Sequence, residues 1–279
     1  MLKRIITSLV AICVLIPVLI FSETFVLPAA IGAATVIAIY EMLKCLGAYK
    51  KYYLSVPLYL ASMLAPFALR YLENKVIAAC VFFVFAVLYL MIVFISIIWS
   101  HGKFSFSDGL ALFAVCMYII VAMNSILYVR DYGDSGKYIY LLIFMGAWMT
   151  DIFAYFTGVF FGKHKLIEDV SPKKTIEGSI GGVFFCAVSF VVFGIIIDAF
   201  FERSANILVL AISGVVVSVI SQVGDLIMSV IKRHYSVKDY GKLFPGHGGM
   251  LDRFDSVLAV SVGMAAICIL TGVLGITLL

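Results

Sequence analysis

Apolar residues follow one another along this chain in long runs that are separated by short polar segments. A bilayer core of about 30 Å is crossed by roughly 20 residues of helix. By that measure the pattern predicts an all-α integral membrane protein, a polytopic bundle of about nine transmembrane helices. The predicted spans are 5–21, 25–43, 52–69, 76–99, 108–129, 138–161, 180–201, 206–231 and 256–278.

The composition excludes a soluble globular protein, because 64% of the residues are hydrophobic and only 13% are charged. The longest polar interruptions, 162–179 and 232–255, are predicted to be two functional loops. We expect residues 1–137 to form N-terminal membrane helices and residues 138–279 to form a catalytic membrane region that carries both loops. The net charge of +4 is small and scattered, which does not favour a nucleic-acid partner.

The basic residues predict the orientation in the membrane. With nine spans, 15 of the 20 Lys and Arg residues fall on the side that holds the N-terminus. The positive-inside rule therefore predicts that the N-terminus and both functional loops are cytoplasmic. Nine of those 15 residues lie in the two functional loops and can be basic for binding reasons, so the smaller loops alone barely decide the orientation.

Carboxylates inside predicted spans are candidate sites, because a charge in the bilayer is costly. Glu41, near one end of its span, is predicted to be an interface-facing group on a packing helix. Asp198 is expected to reach the membrane interface. Asp151, about 15 Å of helix from the end of its span, is either part of a substrate site or a structural polar contact.

Asp225 lies on a polar face of the span at 206–231. That face carries Ser218, Ser221, Gln222, Asp225, Ser229 and Lys232 at intervals of three and four residues. Such a face cannot point into lipid, so it is predicted to line the bundle interior or a water-filled cavity. A hydrogen-bonded seam between helices is the structural alternative.

The loop at 232–255 combines residue types that phosphate chemistry requires. Its cationic donors are Lys232, Arg233, Lys238 and Lys242, and its glycines Gly246, Gly248 and Gly249 allow close approach of a ligand. Asp252 and Asp255, spaced i and i+3, face one side of a helix start, and Asp225 can converge with them. Mg²⁺ is usually held by one or two carboxylates together with substrate phosphates, so this set predicts a magnesium site.

The loop at 162–179 is also cationic. Its basic residues are Lys163, Lys165, Lys173 and Lys174, and its exit is rich in hydroxyl groups and glycine, with Ser171, Thr175 and Gly178. Two such loops indicate two anionic groups to be held. An electrostatic patch for lipid headgroups is the alternative.

Three segments of the second half resemble the phosphatidate cytidylyltransferases, also called CDP-diacylglycerol synthases. The most specific is the 27-residue segment 229–255, which reads SVIKR, four further residues, and then KDYGKLFPGHGGMLDRFD. The others are SPKKTIEGSIGG at 171–182 and DIFAYFTG at 151–158 with FGK at 161–163. The resemblance covers the chain from about residue 145 to its end.

The resemblance implies a nucleotidyltransferase of phospholipid biosynthesis in the bacterial inner or plasma membrane. It would condense CTP with phosphatidic acid, require Mg²⁺ and in some cases a monovalent cation such as K⁺, and form a homodimer. The implied catalytic residues are Asp225, Lys232, Arg233, Lys238, Asp252, Arg253 and Asp255, with Asp225, Asp252 and Asp255 as metal ligands. The implied substrate-binding residues are Ser171, Lys173, Lys174, Thr175, Gly178, His247, Gly248, Gly249 and Asp151.

Two other functions are compatible with parts of the sequence. A CTP-dependent polyprenol kinase would use the same groups but transfer the terminal phosphoryl group and release CDP. A proton- or ion-coupled transporter would use Asp151 and Asp225 as an ion relay. The transporter is disfavoured, because the polar residues gather towards one predicted side of the membrane.

Overall fold

The computed structural model describes residues 13–201 and 203–279. Residues 13–20 are helical. The elements that follow are α1 (Val26–Cys45), α2 (Tyr52–Tyr71), α3 (Lys75–Trp99), α4 (Phe106–Arg130), α5 (Gly136–Ile139), α6 (Leu141–Phe161), β1 (Lys165–Ile167), β2 (Ser171–Thr175), α7 (Ile176–Phe201), α8 (Ile207–His234) and α9 (Leu251–Leu274).

The all-α membrane fold is confirmed. Among the described residues, eight helices are long and apolar enough to cross a membrane, counting α5 and α6 as one segment. They coincide with the second to ninth predicted spans. The first predicted span, at 5–21, begins among residues 1–12, which lie outside the described residues, as does the N-terminus whose side was predicted.

Contacts group the chain into two compact units. The first unit contains the described residues up to Leu127 together with Tyr235–Arg253, and the second contains the described residues of Tyr128–His234 and Phe254–Leu279. The loop between α8 and α9 thus belongs to the first unit. The division between residues 137 and 138 that the sequence suggests stays a prediction.

Helix packing in the first unit relies on close contacts of small and aromatic residues. Gly32 of α1 lies against α2, where an added Cβ would be 3.1 Å from the sulfur of Met63. Tyr89 of α3 is fully buried, and its hydroxyl donates a hydrogen bond of 3.1 Å to the carbonyl of Leu54 on α2. These contacts hold α1, α2 and α3 together.

Glycines bring the helices of the second unit together. α6 packs along α7, and α7 packs along α8. Gly146 on α6 faces Val217 on α8, and Gly214 on α8 lies against the backbone of Ala187 on α7. Close backbone approach at small residues is a usual way to pack helices in a bilayer. This packing positions the polar face of α8.

Both functional loops are shorter than the hydrophobic pattern predicts. α8 continues to His234 and α9 begins at Leu251, which leaves residues 235–250 as a connection that we call the signature loop. The basic residues at the end of α8 favour the helix, because cations interact well with the carboxyl end of its dipole. In the other loop, β1 and β2 pair as an antiparallel hairpin and α7 begins at Ile176. Hydrophobicity predicts which residues lie in lipid, whereas hydrogen bonds decide where a helix ends.

Candidate functional site

The N-terminal part of the polar face of α8 forms a seam with its neighbours in the second unit. Ser218 and Gln222 are buried. The hydroxyl of Thr150 on α6 donates to Ser218 Oγ at 2.9 Å. The amide of Gln222 donates to the carbonyl of Ser179 on α7 at 3.2 Å and accepts from the Ser179 hydroxyl. These two turns of the face are therefore the hydrogen-bonded seam that the sequence left open as an alternative.

One turn further along α8, Asp225 forms an ion pair with Lys174. The Lys174 ammonium contacts Asp225 Oδ2, and the two side chains are 26% and 21% exposed. Because Lys174 belongs to β2, the pair attaches the cationic hairpin to the polar face of α8. The structure thus brings together two candidate segments that the sequence identified separately.

Two more carboxylates of the second unit, those of Asp255 and Asp151, take part in electrostatic interactions here. The charges of Asp225 and Asp151 repel that of Asp255 on α9, whereas Lys232 attracts it. Asp255 Oδ1 accepts from the backbone N–H of Ser256 at 2.9 Å, and the Ser256 hydroxyl donates to Asp151 Oδ2 at 3.4 Å. Three carboxylates and two lysines therefore influence one another here.

The predicted metal ligands are divided between the units, with Asp225 and Asp255 in the second unit and Asp252 in the first. Within the part of the chain that the structure describes, no group of three or more His, Cys, Asp and Glu side chains has a geometry that could hold a metal ion. The assignment of these carboxylates to a metal stays a prediction.

The hairpin is held to α7 by Glu177, which the sequence analysis did not identify. Its Oε2 accepts the backbone N–H groups of Lys163 at 3.1 Å and His164 at 3.2 Å, and its Oε1 lies 2.6 Å from Nδ1 of His164. Lys173 is exposed on β2. The signal that identifies Glu177 is an acidic residue in the first turn of a helix that directly follows a basic segment.

Thr175 caps α7. Its hydroxyl oxygen accepts the N–H of Gly178 at 3.1 Å, as expected for an N-cap threonine. Gly158 on α6 faces the same hydroxyl, and a Cβ there would be 2.9 Å from it. Thr175 and Gly178 thus shape the junction of hairpin and helix, and their predicted contact with substrate stays a prediction.

We expect Thr175→Val to destabilise the protein by about 1 kcal/mol, because valine keeps the shape of threonine but cannot cap α7. Thr175→Ser, which keeps the hydroxyl, is the matched control and should unfold at the temperature of the unsubstituted protein. Thermal unfolding in detergent measures both. Equal midpoints for the valine and serine variants would contradict the capping role.

In the first unit, Asp252 closes the signature loop. It is buried in the first turn of α9, and its Oδ2 accepts the N–H groups of Tyr240 at 2.8 Å and Gly249 at 3.0 Å. These bonds connect the middle of the loop with its C-terminal end. Gly248 has a φ of 88°, a conformation that glycine adopts without strain, and its α-carbon faces the Asp252 side chain.

The tip of the signature loop is a tight turn. Phe244 donates its N–H to the carbonyl of Gly248, and His247 donates to the carbonyl of Phe244, both at 2.8 Å. Arg253 reaches back from α9 and donates from Nε to the His247 carbonyl at 2.8 Å. Within the described residues, Nδ1 of His247 is buried and has no hydrogen-bond partner.

Cationic and phenolic groups lie along the same loop. Lys238 and Lys242 are exposed. Burial raises the pKa of Tyr235, and the negative charge of Asp108 and the nearby Cys45 act in the same direction. The phenol of Tyr235 therefore stays protonated at neutral pH and does not act as a base.

The expectation that Glu41 faces the membrane interface is wrong. Its side chain is buried, with 4% exposure, and accepts hydrogen bonds from the N–H groups of Met250 and Leu251. The hydrophobic pattern cannot reveal these two partners, because they lie 209 and 210 residues further along the chain. The available signal is that Glu41 is a carboxylate within a predicted span.

Fold and site together define a polytopic α-helical membrane protein whose carboxylates and cations gather at helix ends. The chain belongs to the cytidylyltransferase family, whose model matches residues 2–271. It is 40% identical over 161 residues to the phosphatidate cytidylyltransferase of Staphylococcus haemolyticus, covering 58% of this chain and 59% of that protein. It is 38% identical over 162 residues to the phosphatidate cytidylyltransferase of Staphylococcus aureus, with the same coverage. The matched region thus spans about three fifths of the length of these curated relatives.

Proposed function

We propose that this protein is a phosphatidate cytidylyltransferase, which condenses CTP with phosphatidic acid to give CDP-diacylglycerol and pyrophosphate. The observation that carries the proposal is the match to the cytidylyltransferase family over residues 2–271. The names of the staphylococcal relatives supply the lipid substrate. The ion pair between Lys174 and Asp225 supports a site in which the hairpin and α8 act together.

In this reaction a phosphate oxygen of phosphatidic acid attacks the α-phosphorus of CTP, and the bond from that phosphorus to the pyrophosphate leaving group breaks. The phosphate monoester arrives largely ionised, so the protein needs no strong base. Its tasks are to align the two phosphates and to neutralise their charge. Lys174 and Lys232 in the second unit supply positive charge for this purpose. Arg233 lies next to the hairpin, where its Nε donates a hydrogen bond of 3.5 Å to the carbonyl of Val170.

The carboxylates of the second unit suit a magnesium ion, because Mg²⁺ prefers oxygen ligands and is usually bound by one or two carboxylates with substrate phosphates. Asp225 and Asp255 would hold it, and the repulsion between them favours a cation there. When bound, the ion would neutralise phosphate charge and polarise the α-phosphate. A metal role for Asp252 and a second, monovalent cation belong to the same proposal, as does assembly as a homodimer.

The proposed orientation places the N-terminus and both loops in the cytoplasm of a bacterial cell, where CTP is available. The acyl chains of the lipid can then stay in the bilayer while its phosphate reaches the ends of the helices. The excess of basic residues in the loops supports this orientation.

Cysteine labelling tests the orientation. In a variant without native cysteines, we expect Lys165→Cys and Lys242→Cys to react with a membrane-impermeant maleimide only after the cells are permeabilised. Lys137→Cys, at an exposed position of α5, is the matched control and should react in intact cells. Labelling of Lys165→Cys in intact cells would contradict the proposed orientation and indicate the opposite one.

The function itself is tested with purified protein in detergent, phosphatidic acid, and CTP labelled in the cytidine, with and without Mg²⁺. The expected result is magnesium-dependent release of pyrophosphate together with movement of the label into lipid. Release of CDP with polyprenol as acceptor would favour the kinase. A folded protein that is inactive with both lipids but conducts ions in vesicles would favour the transporter.

A further inference from the structure

The carboxylate of Glu41 links helix α1 to the signature loop. We propose that Glu41 is a positioning residue, which holds the signature loop in the conformation that the proposed cytidylyl transfer requires. This inference rests on the proposed function. Glu41 acts through the backbone that it binds and needs no contact with either substrate.

The hydrogen bonds of Glu41 satisfy the start of α9. Met250 donates its N–H to Oε1 at 3.0 Å, and Leu251 donates to Oε2 at 2.9 Å. The first N–H groups of a helix have no partners within the helix, and the positive end of its dipole favours a carboxylate. Because Glu41 is only 4% exposed, its charge must be compensated inside the protein. The two N–H groups therefore gain an acceptor, and the buried carboxylate gains hydrogen bonds that compensate its charge.

The start of α9 has no local side-chain cap. Ser, Thr, Asp or Asn in the residue before a helix accepts the N–H group of the second or third helical residue with its own side chain. The residue before α9 is Met250, which has no side-chain oxygen. The acceptor comes instead from α1, so the start of α9 and the end of the signature loop are tied to a distant helix of the same unit.

Backbone from the middle and from the C-terminal end of the signature loop closes around this carboxylate. Gly241 and Gly249 lie so near Glu41 that a Cβ on either residue would overlap its side chain. Asp252 binds residues of the same two stretches, Tyr240 and Gly249, through their N–H groups. Two buried carboxylates thus set the distance between residues 240–241 and residue 249.

The residues between Gly241 and Gly249 include groups that phosphate binding requires. Lys242 is exposed, and His247 lies in the turn at the tip. Among the described residues, neither side chain bonds to a neighbouring helix. The His247 carbonyl accepts from Arg253, which lies on α9 itself. Without the Glu41 contact, we therefore expect the start of α9 and the tip of the loop to become more mobile together.

Hydrogen exchange in Glu41→Gln tests the anchoring directly. The glutamine keeps the shape but loses the charge and one acceptor, so we expect the amides of Met250 and Leu251 to exchange about 10- to 100-fold faster. The matched control is Thr35→Val, a buried position of the same helix whose hydroxyl bonds to the Ile31 carbonyl of its own helix. Unchanged exchange in Glu41→Gln, or an equal change in Thr35→Val, would overturn the proposal.

A suppressor experiment separates positioning from general stability. Gly249→Ala should lower kcat/KM for CTP by about tenfold or more, because the added methyl group overlaps Glu41. In the double variant with Glu41→Asp, the shorter side chain makes room and should restore at least part of the loss, giving a non-additive cycle. Additive losses would overturn the proposal.

If the unsubstituted protein does not transfer cytidylate, the proposed function fails, whereas the exchange experiment still decides whether Glu41 anchors the loop.

Discussion

Asp225→Asn is expected to lower the rate of cytidylyl transfer by at least about 100-fold, because even groups that only orient a metal ligand account for about 10- to 100-fold. The asparagine keeps the size of the side chain but cannot balance Lys174 or bind Mg²⁺ as an anion. Lys174, whose side chain is only 26% exposed, would lose its ion-pair partner. The measurement is label transfer from CTP to phosphatidic acid at several magnesium concentrations.

The control for this variant is Asp198→Asn. It makes the same chemical change at an exposed position in the last turns of α7, so its activity should stay within about twofold, as is usual for surface substitutions. The half-saturating magnesium concentration should rise in Asp225→Asn and stay constant in Asp198→Asn. If Asp225→Asn retains more than a tenth of the activity with unchanged magnesium dependence, Asp225 is not a metal ligand.

Lys174→Met is expected to lower activity by about 100-fold, the effect of removing one group that stabilises charge in a transition state. Methionine keeps the aliphatic stem of lysine, so the lost charge is the main change. Asp225 would lose its partner, and the hairpin would lose its ion pair to α8. Lys174→Arg keeps the charge and should retain more activity than Lys174→Met.

The neighbouring Lys173 provides a matched control, because it is exposed on the same strand. Lys173→Met should change kcat by less than about threefold if its charge serves only surface electrostatics. Separate Michaelis constants for CTP and phosphatidic acid then show which substrate the hairpin holds. Unchanged Michaelis constants for both substrates in both variants would contradict the division of the two anionic substrates between the two cationic loops.

The double variant Lys174→Met with Asp225→Asn reports on the ion pair. Removal of both charges avoids an unpaired group in a partly buried site, so its loss of stability should be smaller than the sum of the single losses. Its activity should nevertheless stay as low as that of Asp225→Asn. Such a result would separate the structural part of the pair from its part in the reaction.

The helices of this protein could be predicted from the sequence because the bilayer imposes a simple demand. Each crossing needs roughly 20 apolar residues whose backbone groups are bonded within one helix, so the second to ninth predicted spans coincide with eight helices of the described chain.

The family was recognisable for a similar reason. A phosphate-binding segment needs cations, glycines and carboxylates close together in the chain, and residues 229–255 contain them.

The partners of individual polar groups were decided by the tertiary structure alone. The polar face of α8 predicted that Ser218, Gln222 and Asp225 line the bundle interior or a cavity, or form a seam between helices. It did not predict that the first two form the seam while Asp225 pairs with Lys174. Glu41 looked like a peripheral group on a packing helix, yet it binds the N–H groups of residues more than 200 positions away. Local pattern records the environment that each residue requires, namely lipid, water or a polar contact. Which residue supplies that contact depends on how distant helices pack, and that is a property of the folded chain.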